Sequence, residues 1–158
     1  MAITNPQTVI LAGTYIHKEG TVKASTTILP GHLLDYETDG KIKLHGGAGL
    51  NASRMFAIEN AMMGLGITDA YVSTTTVLQN ILFGVFHNGS EVYALVPAGA
   101  AAIAIGDWLE SVGDGTLRLS VSDTAVNDTQ REGSVARALE AVNNSGGGTP
   151  VRIRVEIV

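Results

Sequence analysis

The chain has 158 residues, 45% hydrophobic and 16% charged, which suits one domain with a sizeable core and excludes a largely disordered protein. Its net charge is −5, and eight acids accompany one base, Arg118, between Glu59 and Asp128, so nucleic-acid binding is disfavoured. Cysteine is absent, which excludes disulfides and thiolate metal sites. Since no apolar run spans a membrane and no signal peptide is recognisable, we expect a soluble protein, unprocessed apart from loss of Met1.

Residues 1–19 form the first predicted unit, an N-terminal arm or edge strand. Residues 8–16, TVILAGTYI, have strand composition, but Asn5-Pro6 and Lys18-Glu19-Gly20 isolate them from the rest of the chain. Such a segment is either an edge strand or an extended arm that pairs with a neighbouring subunit, and both remain open. The candidate interaction residues in this unit are Thr8, Val9, Ile10, Leu11 and Tyr15.

Residues 20–158 are predicted to form a single β domain that begins with short strands and Gly-rich turns. Residues 21–28 alternate at period two, and residues 33–36 and 41–44 flank Asp39-Gly40, a pair typical of β-hairpin turns. For residues 53–63 the apolar spacing permits a turn or two of amphipathic helix. We favour a strand over 53–59, followed by an irregular turn at 64–66.

The second half of the chain continues this pattern. Residues 69–72, 80–86 and 91–96 are predicted strands, and Asn88-Gly89 indicates that the last two form a hairpin. Residues 107–111 and 116–121 form another hairpin, 122–133 an acidic surface loop, and 134–142 and 150–158 the last strands. Short strands at these intervals predict an all-β fold, a single barrel or sandwich-like domain.

An internal pseudo-duplication organises this domain. Residues 28–44, ILPGHLLDYETDGKIKL, align without a gap with residues 103–119, IAIGDWLESVGDGTLRL, about 75 residues later. The matches are turn glycines, an acid before each turn and apolar anchors, which are the positions that determine backbone geometry. We therefore predict repeat-like halves at about 20–60 and 90–142, packed about a pseudo-twofold axis, with a C-terminal strand at 150–158.

The titratable residues show no recognisable reaction centre. Four histidines, at no zinc-ligand spacing, are expected at exposed turn or strand positions: His17, His32, His45 and His87. His32 occupies the turn position that Asp107 takes in the second copy, which suggests a turn role. Two acid pairs could act in glycoside chemistry, but their recurrence at turns favours backbone capping: Asp35 with Asp39, and Glu110 with Asp114.

Other motifs of catalysis are also missing from the sequence. No nucleophile elbow, P-loop or dinucleotide fingerprint occurs, and the acidic loop lacks calcium-loop spacing. Trp108, the single tryptophan, is predicted to be a core or interface anchor and is the sixth candidate interaction residue. We therefore expect no catalytic residues, no metal and no cofactor, and an enzyme is disfavoured.

Three stretches resemble the capsid decoration (cement) proteins of tailed bacteriophages: GLGITDAYVSTTTV, NGSEVYALVPAGAAAIAIGDWLESVGDGTLRL and SVARALEAVNNSGGGTPVRIRVEIV. The resemblance covers roughly residues 20–158 and rests on turn and strand positions. It implies a structural virion protein, made in the host cytoplasm, that stabilises the phage head from the outer surface of the capsid. The implied partners are the major capsid protein and sister subunits in a homotrimer, without nucleic acid or membrane.

A second hypothesis is a carbohydrate- or receptor-binding β module on a virion surface. Such modules use aromatic platforms, whereas this chain has eight aromatic residues that do not cluster in the sequence. The composition therefore favours the decoration protein.

Overall fold

The computed structural model describes residues 7–121 and 133–158. This part of the chain contains thirteen β-strands, one 3-10 turn at Ala61–Met63 and no α-helix, which confirms the predicted all-β class. The acidic loop predicted at 122–133 lies outside the described residues, except for Gly133.

The strands, numbered in chain order, form two large antiparallel sheets and one small one. The six-stranded sheet has the order β1 (Ile10–Ala12), β9 (Glu91–Val96), β13 (Val151–Ile157), β12 (Ser134–Ala138), β10 (Trp108–Ser111), β11 (Leu117–Leu119). The five-stranded sheet has the order β2 (Tyr15–Thr21), β8 (Asn80–Phe86), β6 (Met55–Ala57), β4 (Leu33–Tyr36), β5 (Ile42–Leu44). β3 (Thr26–Ile28) pairs with β7 (Tyr71–Ser73). The large sheets pack as a sandwich, and the described strands close no barrel.

The duplicated hairpin is present in both large sheets with the same register. β4 pairs with β5 through Leu34 opposite Leu44, and β10 pairs with β11 through Leu109 opposite Leu119, each residue 75 positions later. An Asp-Gly reversal closes each hairpin, with a positive φ at Gly40 and at Gly115. The repeated sequence therefore encodes a repeated strand pairing.

The correspondence extends across both sheets. In the first sheet, Ala57 of β6, Phe83 of β8 and Lys18 of β2 lie opposite one another in one row. The matching row of the second sheet consists of Ala138 of β12, Val155 of β13 and Val92 of β9. The strands β2, β8, β6, β4 and β5 thus correspond, in the same spatial order, to β9, β13, β12, β10 and β11. Each half of the chain builds one sheet, and β1 is an additional strand beside β9.

The two sheets do not bury equivalent faces against each other. We call face A the face that carries Leu34 in the first sheet and Leu109 in the second, and face B the opposite one. Face A of the first sheet packs against the β3–β7 pair in a core of its own, whereas face A of the second lies in the core between the sheets. That core also contains face B of the first sheet, with Leu33 and Phe56. The predicted pseudo-twofold packing is therefore wrong, because a twofold axis would bury the same face of both sheets.

The hairpin predicted for residues 80–96 is also wrong, although its turn exists. The N–H of Ser90 donates to the His87 carbonyl at 3.1 Å, and Gly89 has a φ of 82°. The flanking strands nevertheless belong to different sheets, because β8 already has β2 and β6 as its two neighbours. Here the chain crosses from one half of the sandwich to the other.

The segment at 53–63 follows the favoured prediction. Strand β6 covers its first part, and helical structure is limited to the single 3-10 turn. The Asn60 side chain accepts a bond from the Met63 N–H at 3.3 Å, and Gly64 ends the turn with a φ of 71°. The near-helical apolar spacing therefore corresponds to one local turn and not to a longer helix.

The described part of the N-terminal segment forms two edge strands. β1 is the edge of the six-stranded sheet, and β2 is the edge of the five-stranded sheet. Gly13 lies between them with a φ of 99°, and a Cβ there would come within 2.6 Å of Ser90 Cα. Only glycine fits this close crossing between the sheets.

Candidate functional site

The repeated turns before β4 and β10 show what His32 and Asp107 do. His32 Nδ1 accepts the Leu29 N–H at 3.0 Å, and in the second copy Asp107 Oδ2 accepts the Ala104 N–H at 2.8 Å. His32 is buried, and this burial lowers its pKa from 6.5 to about 4, so the ring is neutral at neutral pH and Nδ1 is free to accept. The two side chains therefore hold equivalent turns, as the duplication suggested.

His45 and Ser111 form a pair that sequence reasoning missed. The His45 Nδ1 and Ser111 Oγ atoms lie 2.8 Å apart, and His45 Nε2 lies 3.2 Å from the Asn51 carbonyl oxygen. This distance suits a nucleophile and its base. Ser111, however, has no exposed surface, and its Oγ also accepts the Gly113 N–H at 3.1 Å. In this arrangement the pair links the end of β5 to β10 across the two sheets.

The burial of His32 and His45 corrects the expectation that all four histidines are exposed. Their side chains are 8% and 4% exposed, whereas His17 and His87 lie on the surface. The partners of His45 are 66 residues away for Ser111 and six for Asn51, and neither spacing carries a motif. Only the tertiary structure could reveal this pair.

The acid pairs are engaged in turns and in two ion pairs, Asp39 with Lys41 and Glu110 with Arg118. Asp39 Oδ1 accepts the Lys41 N–H at 3.1 Å, and Asp114 Oδ1 accepts the Thr116 N–H at 2.9 Å, as backbone capping predicts. Glu110 differs because it is nearly buried, and its Oε1 lies 2.8 Å from Arg118 Nη2.

The N-terminal candidate residues lie against the protein's own sheets. Val9 is fully buried in the central core, and its N–H donates to Glu59 Oε2 at 3.0 Å. The Thr8 hydroxyl donates to the other oxygen of the same carboxylate. Ile10 and Leu11 are half-buried in β1, and Tyr15 is half-buried at the start of β2. Of these residues, Ile10 and Tyr15 retain partly exposed apolar surface beside a groove.

Trp108 lies on the outer face B of the second sheet, where it is 36% exposed. The Arg137 guanidinium carbon lies 6.0 Å from the centre of its ring, a cation–π distance. Trp108 corresponds to the buried Leu33 of the first copy, since the two occupy the same place in the repeated hairpin. It belongs to an exposed sheet face that also carries charged residues, at a different place from the N-terminal candidates.

A groove of about 1090 Å³ runs along β2. Its floor comes from β8 and the segment after β6, and Met62 and Met63 form part of its rim. Met62 is 99% exposed, which is unusual for a large apolar side chain. Four β2 residues also line it: Tyr15, His17, Lys18 and Glu19.

Among residues 7–121 and 133–158, no three histidine, cysteine or acidic side chains are grouped so that they could hold a metal ion. No helix in the same residues has the length and apolar character to cross a membrane.

The fold is similar to that of a bacteriophage head component. One similar structure is the head fiber gp8.5 N base of bacteriophage phi29, with a TM-score of 0.51 and 15% sequence identity. The match covers 90% of this chain and 95% of that chain. No family model matches the chain, and no curated protein matches its sequence. At 15% identity the similarity concerns the fold.

Proposed function

We propose that the chain is a structural protein of a tailed-bacteriophage head, a decoration protein that binds the outer surface of the capsid and stabilises contacts between capsomers. The observation that carries the proposal is the fold shared with a phage head fiber base over 90% of this chain. The resemblance of three sequence stretches to decoration proteins supports the same class of virion protein.

The physical character of the scaffold fits this role. Its first sheet is covered on both faces, and two apolar clusters support it without any disulfide. A rigid protein of this kind loses little conformational entropy when it binds. A protein that binds a site made from several capsomers stabilises the assembled shell by mass action, because it binds the assembly better than the separate parts.

The proposed partners are the major capsid protein and two further copies of this chain in a homotrimer. Nucleic acid is not among the proposed partners, because the chain has a net charge of −5 and phosphate binding needs basic residues. The carbohydrate- or receptor-binding alternative has less support, because the two most exposed described aromatic residues, Tyr36 and Trp108, lie in different sheets.

The direct test uses expanded phage shells that lack the protein. We expect the purified chain to cosediment with these shells and to raise the temperature at which they rupture, with a trimeric mass in sedimentation of the free protein. An unrelated acidic protein of similar size is the control. Absence of both binding and thermal shift would exclude the decoration role, whereas binding by a monomer would exclude only the trimer.

A further inference from the structure

The corresponding strands β2 and β9 differ in one respect. In the second sheet, the outer edge of β9 is covered by β1, and the Tyr93 N–H donates to the Val9 carbonyl at 2.8 Å. Lys18 of β2 corresponds to Val92 of β9, so the next residue, Glu19, corresponds to Tyr93. Among the described strands, β2 pairs with β8 alone, so no described strand takes the place equivalent to β1.

The backbone of β2 presents its free groups in a regular order. The Val22 N–H bonds to Gln79, and the Thr14 carbonyl accepts the His87 N–H, so even-numbered residues bond toward β8. Since alternate residues of an edge strand point their N–H and C=O groups outward, His17 and Glu19 offer theirs to the open edge. Both residues are exposed, and β2 is seven residues long without a bulge in its pairing.

The groove adds side-chain recognition to this edge. Tyr15, His17 and Glu19 share face B of β2 and line the groove together with Leu82 of β8 and the exposed Met62. A strand that paired with β2 would direct every second side chain toward this apolar floor. Recognition of an extended peptide by strand addition uses this combination of a sheet edge and pockets for alternate side chains.

A second copy of this chain is a poor occupant of the edge. When two β2 strands pair antiparallel with full overlap, Lys18 lies opposite Lys18 of the other copy, and like charges at this position are destabilising. The β1 segment of another copy is already paired with its own β9. The occupant that fits is an extended segment of a different protein, with apolar residues facing the groove and a polar or acidic residue near Lys18.

We propose that the outer edge of β2 is a docking site at which an extended segment of the shell protein adds as a sixth, antiparallel strand. The added strand takes the place that β1 has beside β9, and its alternate apolar side chains occupy the groove. This proposal rests on the proposed function, since it identifies the surface through which the protein binds the shell.

The test compares Glu19→Pro with its matched control Glu19→Ala. Both variants remove the carboxylate, but only proline removes the outward N–H, and proline is tolerated on an edge strand where the N–H faces away from the sheet. We expect Glu19→Pro to bind expanded shells at least tenfold more weakly than Glu19→Ala, because the two variants lack the same side chain and differ in the outward N–H. Thermal unfolding of the free variants establishes that both are folded.

A second measurement does not depend on either variant. Hydrogen exchange of the wild-type amides at His17 and Glu19 should slow when shells are added and should not depend on protein concentration without shells. Equal shell binding by the two variants, or unchanged exchange in bound protein, would overturn the docking site and leave the decoration role intact. Protection that grows with protein concentration alone would identify a second copy as the occupant and overturn the choice of partner. Failure of the wild type to bind shells would reject the proposed function itself.

Discussion

The two sheets are built from the same sequence repeat and have the same strand order, yet they treat face B in opposite ways. In the first sheet Leu33 and Phe56 are fully buried between the sheets. The corresponding residues of the second sheet are Trp108 and Arg137, which face outward. Face A is apolar in both copies, with Leu34 and Leu109 fully buried.

This difference follows from the way the halves stack. Because face B of the first sheet contacts face A of the second, only one copy of each face can lie in the shared core. The remaining face A is covered by the β3–β7 pair, and on the remaining face B Trp108 and Arg137 are exposed. Two copies of a repeat therefore diverge where their surroundings differ and stay similar where the backbone must turn or bury the same side chain.

The largest expected change in stability comes from placing the residue of each copy at the equivalent position of the other, Phe56 and Arg137. We expect Phe56→Arg to lower the free energy of unfolding by more than about 4 kcal/mol, because it places an unpaired guanidinium in the central core. Arg137→Phe should cost less than about 1 kcal/mol, since it removes only an exposed cation–π contact and a bond to the Gly106 carbonyl. Denaturant midpoints measure both, and similar losses would contradict the face assignment.

An intermediate change in stability is expected from the pKa of His32, which burial lowers from 6.5 to about 4. Between these values the unfolded chain binds a proton that the folded chain does not, so stability falls as the pH falls from 6.5 toward 4. The contribution lost by pH 4 is about 3 kcal/mol, and none is lost above pH 7.

The matched variant is His32→Asn, which can keep an acceptor for the Leu29 N–H without titrating in this range. Unfolding free energies at several pH values should show a gap between wild type and variant that changes from pH 7 to pH 4. Parallel profiles would mean that His32 is not held neutral by its surroundings.

The smallest expected effect concerns Asp107, the counterpart of His32. Asp107→Ala removes the acceptor for the Ala104 N–H and should cost about 1 kcal/mol, the net value of one such hydrogen bond. Asp107→Asn keeps an acceptor oxygen and should cost less. Urea unfolding compares the two, and equal losses would show that the charge of Asp107 matters more than its hydrogen bond.

Much of the local structure could be predicted because it depends on near neighbours in the chain. The Asp-Gly reversals, the turn glycines Gly31 and Gly106 and the alternation of the last strand are set by backbone conformation and by period-two patterning. The repeated hairpin could be recognised for the same reason. The turn role of His32 followed from comparing it with Asp107, without knowledge of its partner.

The candidate site was harder to predict, because it depends on residues far apart in the chain. The groove joins β2 to β8 and to the segment after β6, and the Glu59 carboxylate holds Thr8 and Val9 from about 50 positions away. The hairpin prediction for residues 80–96 failed because a short Asn-Gly turn does not determine which sheet the next strand joins.

By itself, the sequence determined an all-β chain in which one hairpin is built twice, since turns and alternation are properties of short segments. Only the tertiary structure decided that the copies stack with unlike faces and that Leu33 is buried while its counterpart Trp108 is exposed. It also decided that β1 covers β9 while no described strand covers the outer edge of β2. The physical reason is that burial depends on what lies across the core, and pairing at a sheet edge depends on which strand is free to reach it.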